Sequence, residues 1–108
     1  TGDGILATFE TPSAAIDAAI ALRSSLASFD VRIRAGIHAG EIEAREADIS
    51  GSVVNLAART MDAAPANEIY VTSSVHDQLL GSRFEFDDAG QHELKGFAVQ
   101  GLLFRVAG

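Results

Sequence analysis

Cysteine is absent from the 108 residues. That removes disulfides, zinc–thiolate sites, iron–sulfur clusters and cysteine nucleophiles together. Long apolar runs are absent as well, so no segment is suited to span a bilayer, and no direct membrane contact is expected. The residues after Thr1 do not have the pattern of a signal peptide, and a cytoplasmic setting is the expectation. Bases are scarce: 8 Lys and Arg stand against 15 Asp and Glu, a net charge of -7. A sequence-independent binder of DNA or RNA needs a basic surface, so nucleic acid is not an expected partner. An anionic nucleotide stays open, because a metal ion and a few local cations override the global sign within a site. Internal repeats, linkers and low-complexity stretches are missing. Gly36-Ile37-His38-Ala39-Gly40 lacks both the Lys-Ser/Thr ending and the following helix of a phosphate loop, and no serine stands in a nucleophile elbow.

What is present is an ordinary globular balance, 47% hydrophobic and 21% charged residues, in a length that suits one domain. The chain opens Thr1-Gly2-Asp3-Gly4, without Met, and runs into Ile5-Leu6-Ala7-Thr8-Phe9. Asp-Gly beside an extended run is a hairpin signal, so a strand is expected upstream of Thr1, and 1–108 is expected to be part of a larger domain. Residues 5–9 are short and apolar and suit a buried strand. Thr11 can cap a helix with Pro12 in its first turn, and residues 14–27 give that helix an apolar face of Ile16, Ala19, Ile20, Leu22 and Leu26. Residues 31–37 alternate as a strand with one wet face. Residues 52–64 form a second helix stopped by Pro65. Residues 68–72 read as a strand, and Ser73 or Ser74 can cap a third helix that Gly81 closes. Residues 84–86 and 93–94 read as a hairpin around Asp88-Ala89-Gly90, and residues 102–106 as a last strand. Early alternation of strand and helix with late antiparallel pairing points to a mixed sheet with helices packed on it.

On the second helix Asn55 and Arg59 are four apart and Asp62 three further. They share one face, which is either the solvent stripe of an amphipathic helix or an amide and a guanidinium projecting into a cleft. Asp3 is either turn chemistry or a carboxylate for a hard divalent ion. Lys95, before Gly96, is either solvated or a point charge for a phosphate. His38, His76 and His92 have no ligand spacing among them, and His38 reads as a packed or hydrogen-bonded residue.

Four segments in this order resemble the class III nucleotidyl cyclase catalytic domain. They are Gly2-Asp3-Gly4-Ile5-Leu6-Ala7-Thr8-Phe9, Arg34-Ala35-Gly36-Ile37-His38-Ala39-Gly40-Glu41, Asp48-Ile49-Ser50-Gly51-Ser52-Val53-Val54-Asn55-Leu56-Ala57-Ala58-Arg59, and His92-Glu93-Leu94-Lys95-Gly96. The chain is most similar to the bacterial adenylate cyclases. The resemblance implies an α+β, ferredoxin-like βαββαβ fold with a mixed, mostly antiparallel sheet. It implies a homodimer with active sites at its interface, ATP as substrate and two divalent metal ions, Mg2+ or Mn2+, as cofactors. It assigns Asp3 to the metals, Asp48 to the adenine amino group, Asn55 to the ribose, Arg59 to the transition state and Lys95 to the terminal phosphates. The family's first metal aspartate and an adenine-reading lysine would fall upstream of Thr1, so residues 1–108 are expected to be silent by themselves. The activity implied is conversion of ATP to 3',5'-cyclic AMP and pyrophosphate. The competing reading is a catalytically silent cyclase-like module for dimerisation or nucleotide sensing.

Overall fold

A computed structural model describes residues 9–39, 52–93 and 100–107, without the side chains of 52–55, 92, 93, 100 and 101. Its elements run α1 (Pro12–Ala27), β1 (Ala35–Ile37), α2 (Ser52–Ala63), β2 (Ile69–Thr72), α3 (Ser73–Gln78), β3 (Phe86–Glu93) and β4 (Gln100–Val106). The sheet order is β1-β2-β4-β3. β1 and β2 are parallel, with Gly36 opposite Tyr70, and α2 is the crossover between them. β4 runs antiparallel to both β2 and β3. This is the mixed, mostly antiparallel α+β sheet that the sequence pattern calls for.

Strand alternation separates two packed faces. Ala35, Ile37, Ile69, Val71, Phe104 and Val106 look toward α1 and α3, where Ile16, Val75 and Leu79 complete the main core. Tyr70 and Leu103 look the other way, toward Leu56, Ala63 and Ala64 at α2. The helices therefore clamp the sheet from both sides. Each fully buried aliphatic side chain in such a core contributes about 1.5–3 kcal/mol.

The ends of α1 follow local chemistry. Thr11 Oγ1 accepts the Ala14 amide at 3.1 Å, with Pro12 in the first turn. The chain leaves the helix through Asp30, held at φ 63, a conformation that Asp tolerates better than most residues. One expected core position fails. Leu22 is 46% exposed while Ile16 is fully buried. The i, i+3, i+4, i+7 row from Ile16 runs through Ala19, Ile20 and Arg23, and Leu22 lies off it. Arg23 takes the half-buried place, and its guanidinium donates to the Asn67 carbonyl at 3.4 Å, a charged head reaching out past a packed stem.

Two further expectations are corrected. The strand over residues 31–37 is regular only from Ala35, and Val31 is 44% exposed. Ladder partners explain this: β2 begins at Ile69, so among the described residues those before Ala35 have the turn at Asn67 beside them, where Ile33 accepts an amide at 2.6 Å. The hairpin around Asp88-Ala89-Gly90 does not form either. Those residues are a bulge within one strand, β3, where three steps from Asp88 to Gln91 face two steps from Phe104 to Leu102. Asp88 Oδ1 accepts the Gly90 amide at 2.6 Å, and Gly90 has φ 87. Turn chemistry is used here to add one residue to a strand. The third helix has Thr72 at its N-cap, and no side chain caps it. The expected strand over 5–9 lies outside the described residues except for Phe9, which is exposed and in no strand.

Candidate active site

The candidate site begins with α2. Its sequence gives two packed ridges and one open side. Thr60 is fully buried, and its hydroxyl is satisfied by the Leu56 carbonyl at 2.8 Å. Ala64, just past the helix end, is also buried, and Leu56 and Ala63 pack with it on Tyr70 and Leu103. The opposite side carries Ala58 and Asp62, both exposed, and Arg59 at its flank. Asn55 is one helical turn before Arg59 on the same helix. The Arg59 side chain is 41% exposed, and its Nη1 stands 3.5 Å from Asp62 Oδ2. That contact is long and half solvated, so it leaves the guanidinium available to a stronger anion.

α2 sits against β1 at Gly36. A Cβ on Gly36 would stand 2.5 Å from the Ala57 carbonyl oxygen and 2.7 Å from the Met61 Cα, and closer still to the Met61 amide nitrogen. Only a residue without a side chain permits this approach of helix backbone to strand. In the sequence Gly36 is one residue of an alternating strand and of a pattern that is not a phosphate loop, and neither marks this contact. A glycine inside such a strand is the signal that could have found it.

His38 follows two residues after Gly36. Its Nδ1 is 2.8 Å from Thr72 Oγ1, so the side chain that could have capped α3 is engaged with the imidazole. Burial lowers the His38 pKa below its ordinary value near 6.5, because the charged ring would lose water. His38 is thus a hydrogen-bonded structural residue, as its place after an apolar strand suggests. His76 is structural too. It stacks on Phe104 at 3.8 Å between ring centres and meets the Phe86 ring edge-on at 5.4 Å, which fastens α3 to the sheet. On the sheet face that α2 covers, Arg105 pairs with Asp87 across the strands and approaches Glu68 at 3.5 Å.

Of the five site residues singled out in the sequence, Asn55 and Arg59 lie one turn apart on α2, and the side chain of Arg59 is described. Asp3, Asp48 and Lys95 lie outside the described residues. Among the described residues no three His, Asp or Glu side chains converge to hold a metal ion. Nor is any described helix long and apolar enough to cross a membrane.

The solved structure of an adenylate/guanylate cyclase/hydrolase from Silicibacter pomeroyi superposes with a TM-score of 0.83 at 27% identity, over 100% of this chain and 69% of that one. The adenylyl cyclase CyaB from P. aeruginosa shares the fold, with a TM-score of 0.73 at 24% identity over 90% and 59% of the two chains. Among curated proteins, one of Rhizobium meliloti (strain 1021), provisionally named adenylate cyclase 3, is 30% identical over 104 residues, covering 88% of this chain and 18% of that protein. The chain spans about a fifth to a third of the length of the curated relatives it matches. The family model for the adenylate and guanylate cyclase catalytic domain matches residues 10–105. That match runs through the strand holding Gly36, the helix holding Asn55 and Arg59, and the β3–β4 pair, and the chain belongs to the adenylate and guanylate cyclase catalytic domain family.

Proposed function

We propose that this chain is the larger part of an adenylate cyclase catalytic domain, forming 3',5'-cyclic AMP and pyrophosphate from ATP. The observation that carries the reading is Arg59, half exposed on the open side of α2, one turn after Asn55, with a long contact to Asp62 among the described residues. In the reaction the 3'-hydroxyl oxygen bonds to the α-phosphorus, the hydroxyl proton is lost, and the bond from the α-phosphorus to the pyrophosphate oxygen breaks. The nucleophile is tethered to its target, so proximity comes with the substrate. What remains for the protein is to orient the ribose and offset growing negative charge. Asn55 orients the ribose, Arg59 neutralises charge on the α-phosphoryl oxygens, and Lys95 holds the terminal phosphates. Asp48 accepts from the adenine amino group and repels the oxygen that guanine carries at that position.

Two divalent ions, Mg2+ or Mn2+, belong to the proposal, and the Asp3 carboxylate is a hard oxygen ligand of the right class for one of them. When bound, such ions lower the pKa of the attacking hydroxyl and screen the phosphates. The domain works as a homodimer with each site shared between subunits, so Asp3 and Arg59 of one site come from different chains.

The test is product formation by the full-length protein with ATP or GTP and Mg2+ or Mn2+, followed by separation of cyclic nucleotides. Cyclic AMP in excess of cyclic GMP is expected. Asp48→Ala should lower the rate with ATP by about one to two decades, the worth of one buried charge-assisted hydrogen bond. A preference for GTP overturns the substrate assignment. Nucleotide binding without turnover turns the reading to a silent module, and unchanged ATP kinetics in Asp48→Ala makes that residue part of a loop only.

A further inference from the structure

We infer that Gly36 is a positioning residue for turnover, because it sets the depth at which α2 carries Arg59 and Asn55. This rests on the roles proposed for those two residues and goes beyond them, since Gly36 is on β1 and acts only through the helix.

The contact is one of backbone on backbone. The space a Gly36 side chain would fill holds the Ala57 carbonyl oxygen and the Met61 amide nitrogen and Cα. None of these is the end of a flexible side chain that could turn aside. They also lie one turn apart on α2 and bracket Arg59, so the helix is seated on the strand at the turn that bears the guanidinium. β1 in turn is fixed by its parallel ladder to β2, with Gly36 opposite Tyr70, and Tyr70 is part of the cluster that holds the other ridge of α2. The strand, the helix and the second core cluster therefore form one rigid seat.

A methyl group at residue 36 needs roughly 3.5 Å from its neighbours. With only 2.5 Å to the Ala57 carbonyl oxygen, and less to the Met61 amide nitrogen, the helix must withdraw by at least about 1 Å. Electrostatic stabilisation of a transition state depends on donors held in place before the charge develops, and a displacement of about 1 Å can cost on the order of 10²-fold. The sheet face packed on α1 and α3 is untouched by this change, so the core that carries most of the fold is kept.

The experiment uses the full-length protein and steady-state cyclisation of ATP. Gly36→Ala should lower kcat by roughly 10- to 100-fold at a temperature where it is folded, with KM for ATP changing much less. Val75→Ala is the control: it opens the core on the opposite face, lowers Tm, and should keep kcat within about twofold below its melting range. Ala57→Val adds bulk and stiffness at the half-buried residue whose carbonyl oxygen meets Gly36 and should lose kcat in the same direction, to a smaller extent; it decides the matter where Gly36→Ala does not fold. In an Arg59→Ala background, Gly36→Ala should cost less than in wild type, because one of its two routes to the reaction has been removed and the route through Asn55 is left. Wild-type kcat in folded Gly36→Ala, or in Ala57→Val where that variant decides, overturns the inference. Equal losses of kcat in Val75→Ala also overturn it, since stability alone would then explain the effect. If Arg59→Ala itself turns over normally, the reading of the site fails, and that result is distinct from a harmless Gly36→Ala beside a damaging Arg59→Ala.

Discussion

Arg59→Ala separates a transition-state role from a surface role by magnitude. The guanidinium is 41% exposed, and its described partner is Asp62 at 3.5 Å, whose side chain is 59% exposed. A solvated i, i+3 pair of this kind contributes about 0.3–0.5 kcal/mol at most, and Ala is at least as good a helix former as Arg. The fold should therefore lose no more than about half a kcal/mol, which is at most about 4 °C in Tm for a domain of this size. Removing a preorganised donor from a developing oxyanion costs far more, on the order of 10²–10³ in rate, or about 2.7–4 kcal/mol. The two effects differ by at least about fivefold in free energy, so one variant distinguishes them. The loss should fall on kcat and spare KM, since the interaction strengthens only as charge grows on the α-phosphoryl group. Thermal melting of the variant and steady-state formation of cyclic AMP by the full-length protein measure both quantities. Mixing Arg59→Ala chains with Asp3→Ala chains adds the subunit question. Random mixing makes half the dimers mixed, and each mixed dimer has one undamaged site of two, so about a quarter of the wild-type rate should return. A kcat within about threefold of wild type in a folded Arg59→Ala protein refutes the transition-state role. Absence of recovery, with both variants folded and dimeric, refutes the shared site.

Two predictions concern the scaffold. His38 is held below its ordinary pKa by burial, so the unfolded chain takes up the proton first as pH falls. Stability contributed by neutral His38 is full above about pH 6.5 and is lost as pH falls from there toward the lowered folded pKa, with a slope of at most about 1.4 kcal/mol per pH unit. Tm of wild type should consequently drop more between pH 7 and pH 5.5 than Tm of His38→Asn, and parallel profiles would show that His38 does not govern this window. Thr11→Ala removes the side chain that accepts the Ala14 amide and should cost about 1 kcal/mol in urea unfolding. An unchanged midpoint would mean that Pro12 alone starts the helix.

The sequence by itself determined what local chemistry can determine. Thr11-Pro12 fixed the start of α1 and Pro65 the end of α2, because capping and φ restriction act within a few residues, whereas α3 ends at Gln78 with Leu79 at its C-cap, short of the expected Gly81. The meeting of Arg59 and Asp62 on one side of α2 also followed from helical period alone. Tertiary structure decided what depends on the partner opposite. The packed row from Ile16 passes through Arg23 and leaves Leu22 outside, and it is a carbonyl 44 residues away, at Asn67, that offers the half-buried Arg23 guanidinium an acceptor. Asp88-Ala89-Gly90 carries the chemistry of a turn, yet the ladder with β4 continues past it and makes it a bulge. Residues 31–34 alternate like a strand but have no strand beside them among the described residues, and they are not part of β1. The same holds for Gly36. Its alternation marks a strand, while its function as the seat of α2 exists only where a helix 21 residues further along, at Ala57, comes down onto it. Local propensity is written in neighbouring residues, whereas register and close approach are properties of two segments at once, and the chain must fold before either is defined.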